Sequence, residues 1–161
     1  MELRDLIVTP LVLLVIFLVA YLIRPYVTDD KNYRYFLPAL AVKLAGAIAL
    51  GIVYQFYYES GDTFVYHNLG SRIIWDAFIE SPATGLKLLF ADNSNPGDIY
   101  RYASQIYFFR DPNSYMVVRI AFLLDLLTFS TYSATACLFA VISFIGSWQF
   151  YLTFYKQYPH L

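Results

Sequence analysis

Charged side chains are scarce in this chain of 161 residues, where Asp, Glu, Lys and Arg together account for 14%. Soluble domains carry about 25% charged residues, whereas this chain is 59% hydrophobic and 20% aromatic. The composition therefore excludes an ordinary soluble domain and predicts a protein embedded in the lipid bilayer. The formal net charge is −1, so the basic surface that nucleic acid binding requires is missing and we expect no nucleic acid partner.

Cysteine and histidine are also nearly absent. The one cysteine, Cys137, lies in an apolar run, so a single chain can form neither a disulfide nor a cysteine-rich metal site. Two histidines, His67 and His160, give little support for a zinc site. The P-loop glycine pattern, the His-Glu-x-x-His helix, paired Cys-x-x-Cys and the Gly-x-Ser-x-Gly elbow do not occur. These common signatures of nucleotide, zinc and serine-hydrolase chemistry are thus excluded.

Long apolar runs dominate what is present. A helix needs about 20 apolar residues to cross a bilayer, and the runs 6–23, 37–57 and 115–155 provide enough for four crossings, with a Ser/Thr-rich turn at 128–135 dividing the last. The sequence predicts an all-α polytopic membrane protein with about four transmembrane helices. Its expected parts are a transmembrane hairpin (1–57), a loop of short helices (58–114) and a second hairpin (115–161). We expect the chain to continue in a longer parent protein.

The distribution of basic residues predicts the orientation. Arg24, Lys31 and Arg34 lie between the first two runs, against Arg4 at the amino end. Because short basic loops stay in the cytoplasm, the first loop is expected to be cytoplasmic and the segment 58–114 external. For a bacterial protein this means the inner membrane, with the long loop in the periplasm.

The long loop carries helix-start signals in which a polar residue precedes a proline. They are Ser81-Pro82, Asn95-Pro96 and Asp111-Pro112. A polar side chain can cap the first amides of a helix, and proline suits the first helical position. Apolar residues recur at helical spacing between these signals, which predicts short amphipathic helices lying on the membrane surface.

The strongest candidate for chemistry lies where the second run ends, at Glu59-Ser-Gly-Asp62. An aspartate at a membrane exit could act as a general base on a hydroxyl or hold a divalent cation. Glu59 provides a second carboxylate, and Tyr66 follows shortly after as a further substrate-binding candidate. The alternative is that Asp62 only caps the next helix by accepting from the amides of Phe64 or Val65.

Charges inside or beside the apolar runs are costly in lipid and so need partners. Lys43 and Asp125 could form an ion pair across helices. Arg119 could bind the phosphate of a lipid-linked substrate, or extend toward lipid phosphate. Arginines of the loop could serve the same phosphate or anchor the loop at the interface; they are Arg72, Arg101 and Arg110.

The Gly61-Asp62 pair followed by Tyr66, and Val118-Arg119-Ile120 ahead of the Tyr-Ser-Ala-Thr-Ala turn, resemble the amino-terminal part of C-type membrane glycosyltransferases. The stretch 61–161 also resembles polytopic membrane proteins of Bacteroidetes. The resemblance implies a polyprenyl-phosphate sugar as donor and cell-envelope glycan assembly as the process. It implies that Asp62 is the base, that Tyr66 matches the tyrosine after it, and that Arg119 matches an arginine common at the start of the following span. Our leading hypothesis is that Asp62 is the base or a metal ligand and that Arg119 or Arg101 holds phosphate. Thr63 stands where the family has a second acidic residue.

Two further functions compete with a glycosyltransferase. A non-catalytic four-span subunit could use the loop to dock a partner, with Asp62 as a cap. A transporter fragment is a third hypothesis, because Lys43 and Asp125 are intramembrane charges, although no inverted repeat is visible. For the chain alone, without its expected parent, we expect no transferase activity.

Overall fold

The computed structural model describes residues 3–58, 61–94 and 96–158, and in these ranges all regular structure is helical. Eight α-helices follow one another, with a π-helical turn at His67–Ser71 and a 3-10 turn at Gly97–Ile99. The prediction of an all-α fold is confirmed. The helices are α1 (Leu3–Val27), α2 (Tyr33–Phe56), α3 (Asp62–Tyr66), α4 (Arg72–Glu80), α5 (Pro82–Leu89), α6 (Tyr100–Ala103), α7 (Pro112–Thr128) and α8 (Tyr132–Gln157).

Three helices of the described residues, α1, α2 and α8, are long and apolar enough to cross a membrane. The sequence predicted four. The remaining long helix, α7, has 17 residues, which gives it a length of about 26 Å, less than the roughly 30 Å of a hydrocarbon core. It also carries Arg119 and Asp125, whose charges are costly in lipid.

The three long helices form a bundle in which α1 and α8 run parallel and α2 runs in the opposite direction. Near the start of both α1 and α8, Asp5 Oδ1 accepts hydrogen bonds from the Ser133 amide at 3.0 Å and hydroxyl at 2.7 Å. At the other end, the Tyr151 hydroxyl of α8 donates to Asn32 Oδ1 at 2.7 Å, just before α2 begins. The end of α2 and the start of α8 therefore lie at the same end of the bundle as the start of α1. The segment that connects α2 to α8 is attached at this end.

An apolar core holds this three-helix bundle together. Leu40 and Leu44 of α2 are buried against Phe144 and Trp148 of α8, and Ile16 of α1 completes the contact. The opposite faces are apolar but exposed, especially on α1 (Leu6, Ile7, Leu11, Leu14, Leu18). Exposed aliphatic surface of this extent on a long helix is suited to contact with lipid.

The helices α3 to α7, here termed the loop unit, share a second apolar core. Ile74 of α4 and Leu88 of α5 are fully buried against Val118 and Phe122 of α7. The buried Tyr115 hydroxyl donates to the Leu88 carbonyl at 2.8 Å, which satisfies both groups. The apolar faces of α4 and α5 were predicted to rest on the membrane surface; in the structure they pack on α7.

The helix boundaries follow the predicted signals in part. Asp111 caps α7 by accepting from the Asn113 amide at 3.1 Å. Ser81 precedes α5, but its side chain makes no capping bond, and Asn95 lies outside the described residues. The predicted turn between α7 and α8 is confirmed: Phe129 and Ser130 both have φ of 53°, and their amides bond to the Asp125 carbonyl.

Candidate functional site

A cavity of about 450 Å³ with a mixed polar and apolar lining lies at the end of the bundle where α1 begins and the loop unit attaches. Two arginines line it, Arg4 from α1 and Arg72 from α4, together with Asp5. We term it the arginine cavity. Its other lining residues are Tyr54, Gln55, Phe64, Val65, His67, Asn68, Leu69, Ser130, Thr131 and Tyr132.

A larger groove of about 740 Å³ runs between α2, α7 and α8. Its walls are mostly apolar and many of the side chains are small, so we term it the apolar groove. Lys43 provides its one cationic side chain, and three residues of α3 and the π-helical turn, Thr63, Tyr66 and His67, also line it. The remaining walls consist of Val42, Gly46, Ala47, Leu50, Val117, Ala121, Tyr132, Thr135, Ala136, Phe139, Ala140 and Ser143.

The two cavities share two lining residues, His67 and Tyr132. Tyr132 is held by Phe64, whose ring stacks on it at 4.1 Å between centroids, and by Thr63, whose hydroxyl oxygen lies 2.8 Å from that of Tyr132. His67 begins the π-helical turn, which packs closely on α7: a Cβ on Gly70 would lie 2.8 Å from Val118 Cγ2. A side chain at position 70 would therefore force the buried Val118 side chain to move.

His67 faces a buried carboxylate. Its Nε2 lies 3.8 Å from Asp125 Oδ1, and the side chains are 6% and 0% exposed. The Thr135 hydroxyl donates to the same Oδ1 at 2.6 Å and is itself 2.6 Å from the Thr128 hydroxyl. Ser71 lies beside the carboxylate as well. Asp125 of α7 thus sits where the π-helical turn, α7 and α8 meet.

Burial raises the pKa of Asp125 above its ordinary value, while His67 and the hydroxyls of Ser71 and Thr135 favour the charged carboxylate and act against it. The predicted ion pair between Lys43 and Asp125 is wrong, because Asp125 faces His67. Lys43 is half-buried in the apolar groove. Since side chains tilt toward the start of their helix, its ammonium is expected to extend toward the Tyr33 end of α2.

Asp62 is the first residue of α3 and is exposed. The interpretation of Asp62 as a helix cap is wrong. The cap position belongs to Gly61, whose carbonyl accepts from the amides of Phe64 at 2.9 Å and Val65 at 3.1 Å. Asp62 lines neither cavity, although its neighbour Thr63 lines the apolar groove. Its role as a base stays a prediction.

The other predicted substrate-binding residues are distributed over the loop unit. Tyr66 lines the apolar groove and stacks on Phe108 with 4.5 Å between ring centroids. Glu59 lies outside the described residues. Asp62 begins α3 and Tyr66 ends it, and of these two residues Tyr66 lines the groove.

Arg119 and Arg101 make intramolecular contacts and line neither cavity. Arg119 donates to the Ala91 carbonyl at 2.6 Å and to Asn93 Oδ1 at 3.2 Å, so it ties α7 to the segment after α5. Arg101 pairs with Glu80 at 3.2 Å on the exposed surface. A hydrogen bond from Tyr102 and the charge of Arg101 lower the pKa of Glu80.

No group of three or more potential metal ligands occurs among the described residues, and the divalent cation considered for Asp62 stays a prediction. No family model, no curated protein and no solved structure matches the chain. The sequence pointed to the stretch that contains His67 but not to that residue's pairing with Asp125. The two lie 58 positions apart in different helices, and only the fold joins them.

Proposed function

We propose that this integral membrane protein binds a lipid whose phosphate-bearing head group occupies the arginine cavity and whose hydrocarbon chain occupies the apolar groove. The observation that carries the proposal is that a cavity lined by Arg4 and Arg72 adjoins a groove with apolar walls along two long helices, through the shared residues His67 and Tyr132. Arginine is well suited to phosphate because its guanidinium forms two parallel hydrogen bonds to it.

The groove has the location and length that a lipid chain needs. Along α8 it extends from Tyr132 to Ser143, which corresponds to about 16 Å of helix. The outer faces of the bundle are apolar and exposed, so a chain can enter from the bilayer without crossing water. A head group at the loop end then lies at the membrane surface, where polar groups belong.

The lipid fits the polyprenyl-phosphate sugar implied by the resemblance to C-type glycosyltransferases, and we propose that the chain is part of such an enzyme in the bacterial inner membrane. In that function Asp62, at the start of α3 beside the groove, is the base that activates the acceptor hydroxyl. In this proposal Arg4 and Arg72 make the phosphate contacts, in place of Arg119 and Arg101, the leading candidates from the sequence.

Neutralising the cavity arginines tests the lipid site. In nanodiscs containing a small fraction of phosphatidic acid, Arg4→Gln and Arg72→Gln are each expected to weaken binding of that lipid about five- to tenfold, because each removes a charge-assisted hydrogen bond to phosphate. Native mass spectrometry of the protein–lipid complexes measures the change.

Arg34→Gln provides the matched control, since Arg34 is exposed at the opposite end of the bundle and stacks on Tyr35. It is expected to bind the lipid as the wild type does. Equal binding by all four proteins would contradict the lipid site. Arg101→Gln is tested alongside, because the sequence suggested Arg101 for the phosphate contact. Weaker binding in Arg101→Gln would favour Arg101, and unchanged binding would favour Arg4 and Arg72.

The proposed orientation has its own test. Ser94 is exposed in the loop unit, and Cys137, the one native cysteine, is fully buried. In Ser94→Cys, a membrane-impermeant maleimide added to intact spheroplasts is expected to label the protein, because the loop unit faces the periplasm. Labelling only after the membrane is broken would place the loop unit in the cytoplasm, and the unmodified chain gives the background from Cys137.

A further inference from the structure

The outward side of α7 carries only apolar side chains. Between Tyr115 and Phe129 every exposed residue is apolar, and these residues are Met116, Val117, Ile120, Leu123, Leu126, Leu127 and Phe129. Four of them recur at intervals of three and four residues, so they lie on one face of the helix. We term these four the α7 stripe; they are Met116, Ile120, Leu123 and Leu127.

The polar side chains of the same segment lie on the inward side of α7. Asp125 and Thr128 are fully buried. Arg119 donates to the Ala91 carbonyl at 2.6 Å, and its guanidinium lies over the Tyr115 ring at 4.7 Å from the centroid. A surface helix of a soluble domain has the reverse arrangement, with its apolar face inward and its charges in water. Charges turned inward and an apolar outer face are typical of a helix surrounded by lipid.

The attachment of α7 to α8 places this helix beside the bilayer. Thr135 of α8 donates to Asp125 of α7 at 2.6 Å. Further along, Val117 and Ala121 of α7 line the apolar groove together with Ser143 of α8. Ser143 lies about 16 Å along α8 from its first residue. Because α8 is long and apolar enough to cross a membrane, α7 flanks a part of α8 at the depth of the hydrocarbon.

The opposite side of the loop unit is charged. Asp76 and Glu80 are exposed on α4, and α4 packs against the buried face of α7. Arg101 pairs with Glu80, and Lys87 of α5 pairs with Asp98 on the surface. The loop unit therefore has a charged side suited to water and an apolar side along α7, the division expected of a structure at the edge of a bilayer.

The size of the stripe residues favours lipid over a protein helix as their neighbour. Helices that associate within membranes meet mainly through small residues, which let the backbones approach closely. Such residues occur in the wall of the apolar groove, for example Gly46, Ala136 and Ala140. The α7 stripe consists of methionine, isoleucine and two leucines, whose long and branched side chains suit contact with hydrocarbon.

We propose that the α7 stripe contacts the hydrocarbon chains of the bilayer, so that the loop unit is embedded in the membrane along α7. This contact does not require α7 to cross the membrane. The stripe corresponds to about 16 Å of helix, roughly half of the hydrocarbon thickness. The inference is independent of the lipid site proposed above, because the four stripe residues line neither the arginine cavity nor the apolar groove.

Spin labels measure what surrounds the stripe. A nitroxide is attached to Ile120→Cys or Leu123→Cys in liposomes of phosphatidylcholine, and its collisions with oxygen, which concentrates in hydrocarbon, are compared with those of a water-soluble nickel chelate. Oxygen is expected to dominate at both positions, as at Leu14→Cys on the exposed face of α1. At Ser94→Cys the chelate is expected to dominate. The unmodified chain gives the background, because Cys137 is fully buried.

Two results would overturn the proposal. More collisions with the chelate than with oxygen at either stripe position would place that face of α7 in water. Few collisions with both reagents would show that protein covers the stripe, either a second copy of the chain or another partner.

A measurement on the wild-type protein covers the case in which a labelled variant does not fold. A diazirine carried on a phospholipid acyl chain is photolysed in the same liposomes, and mass spectrometry locates its adducts. Adducts are expected on the α7 stripe as well as on the exposed face of α1, and none on α6. Adducts on α1 without any on the stripe would contradict the proposal. Adducts on Ala121 alone within α7 would come from a lipid in the apolar groove and would contradict it equally.

Discussion

Phe122→Ala is expected to lower the free energy of unfolding of the loop unit by about 3–5 kcal/mol, the usual cost of deleting a buried phenyl ring. Phe122 is fully buried in the core shared by α4, α5 and α7, and its ring meets that of Phe78 edge-on with 5.8 Å between centroids. Alanine leaves a cavity that these short helices can fill only in part.

The effect is expected to stay within the loop unit, because the three-helix bundle has a separate core. Hydrogen–deuterium exchange of the protein in detergent micelles should show faster exchange across α4 and α5, with α2 and α8 protected as before. Leu123→Ala is the matched control, since Leu123 is the next residue of α7 and is 47% exposed. Equal loss of protection in both variants, or loss throughout the bundle, would show that the chain has one cooperative core.

Gly85→Ala is expected to destabilise the loop unit by about 1–3 kcal/mol, although alanine normally favours a helix. Gly85 lies in α5 where it packs against α4. A Cβ at this position would lie 2.5 Å from Phe78 Cβ and 2.7 Å from Phe78 Cα. The second of these atoms belongs to the backbone, so α5 has to move away from α4 to accommodate one methyl group. Thermal unfolding monitored by circular dichroism measures the loss.

Gly146→Ala provides the opposite case in the same chain. Gly146 lies within α8, and a Cβ there would meet no atom within 4 Å. The replacement is expected to leave stability unchanged or to raise it by up to about 1 kcal/mol through helix propensity alone. If both replacements behave alike, the close contact between α4 and α5 does not contribute to stability.

Composition and periodicity were sufficient to predict the helical class, the first two long helices and the turn before α8, because long apolar runs leave a chain few alternatives in lipid. They were not sufficient for α7. Its apolar content satisfied a hydropathy argument, but its buried face is complementary to α4 and α5, and that complementarity depends on side-chain shape. The length of α7, 17 residues, distinguishes it from the three helices that are long enough to cross a membrane, α1, α2 and α8.

The candidate site was likewise predicted only in part from the sequence. Arg72 was among the arginines considered for phosphate, and the stretch from Asp62 to His67 was recognised as unusual, because polar residues at the end of an apolar run are conspicuous. The pairing of His67 with Asp125 was missed, and Lys43 was chosen as the partner on charge alone. Pairing between distant segments follows from how helices pack, which local pattern does not encode.

The site lies at the boundary between the two apolar cores, so ligand binding there would affect how firmly the loop unit is attached to the bundle. His67 belongs to the loop unit and Tyr132 to the bundle, so a ligand in the proposed lipid site would contact two bodies that otherwise pack around separate apolar cores. A ligand at a hundred times its dissociation constant stabilises the state it binds by about 2.7 kcal/mol. For the proposed lipid, that energy would oppose separation of the loop unit from the bundle, and release of the lipid would make the separation easier.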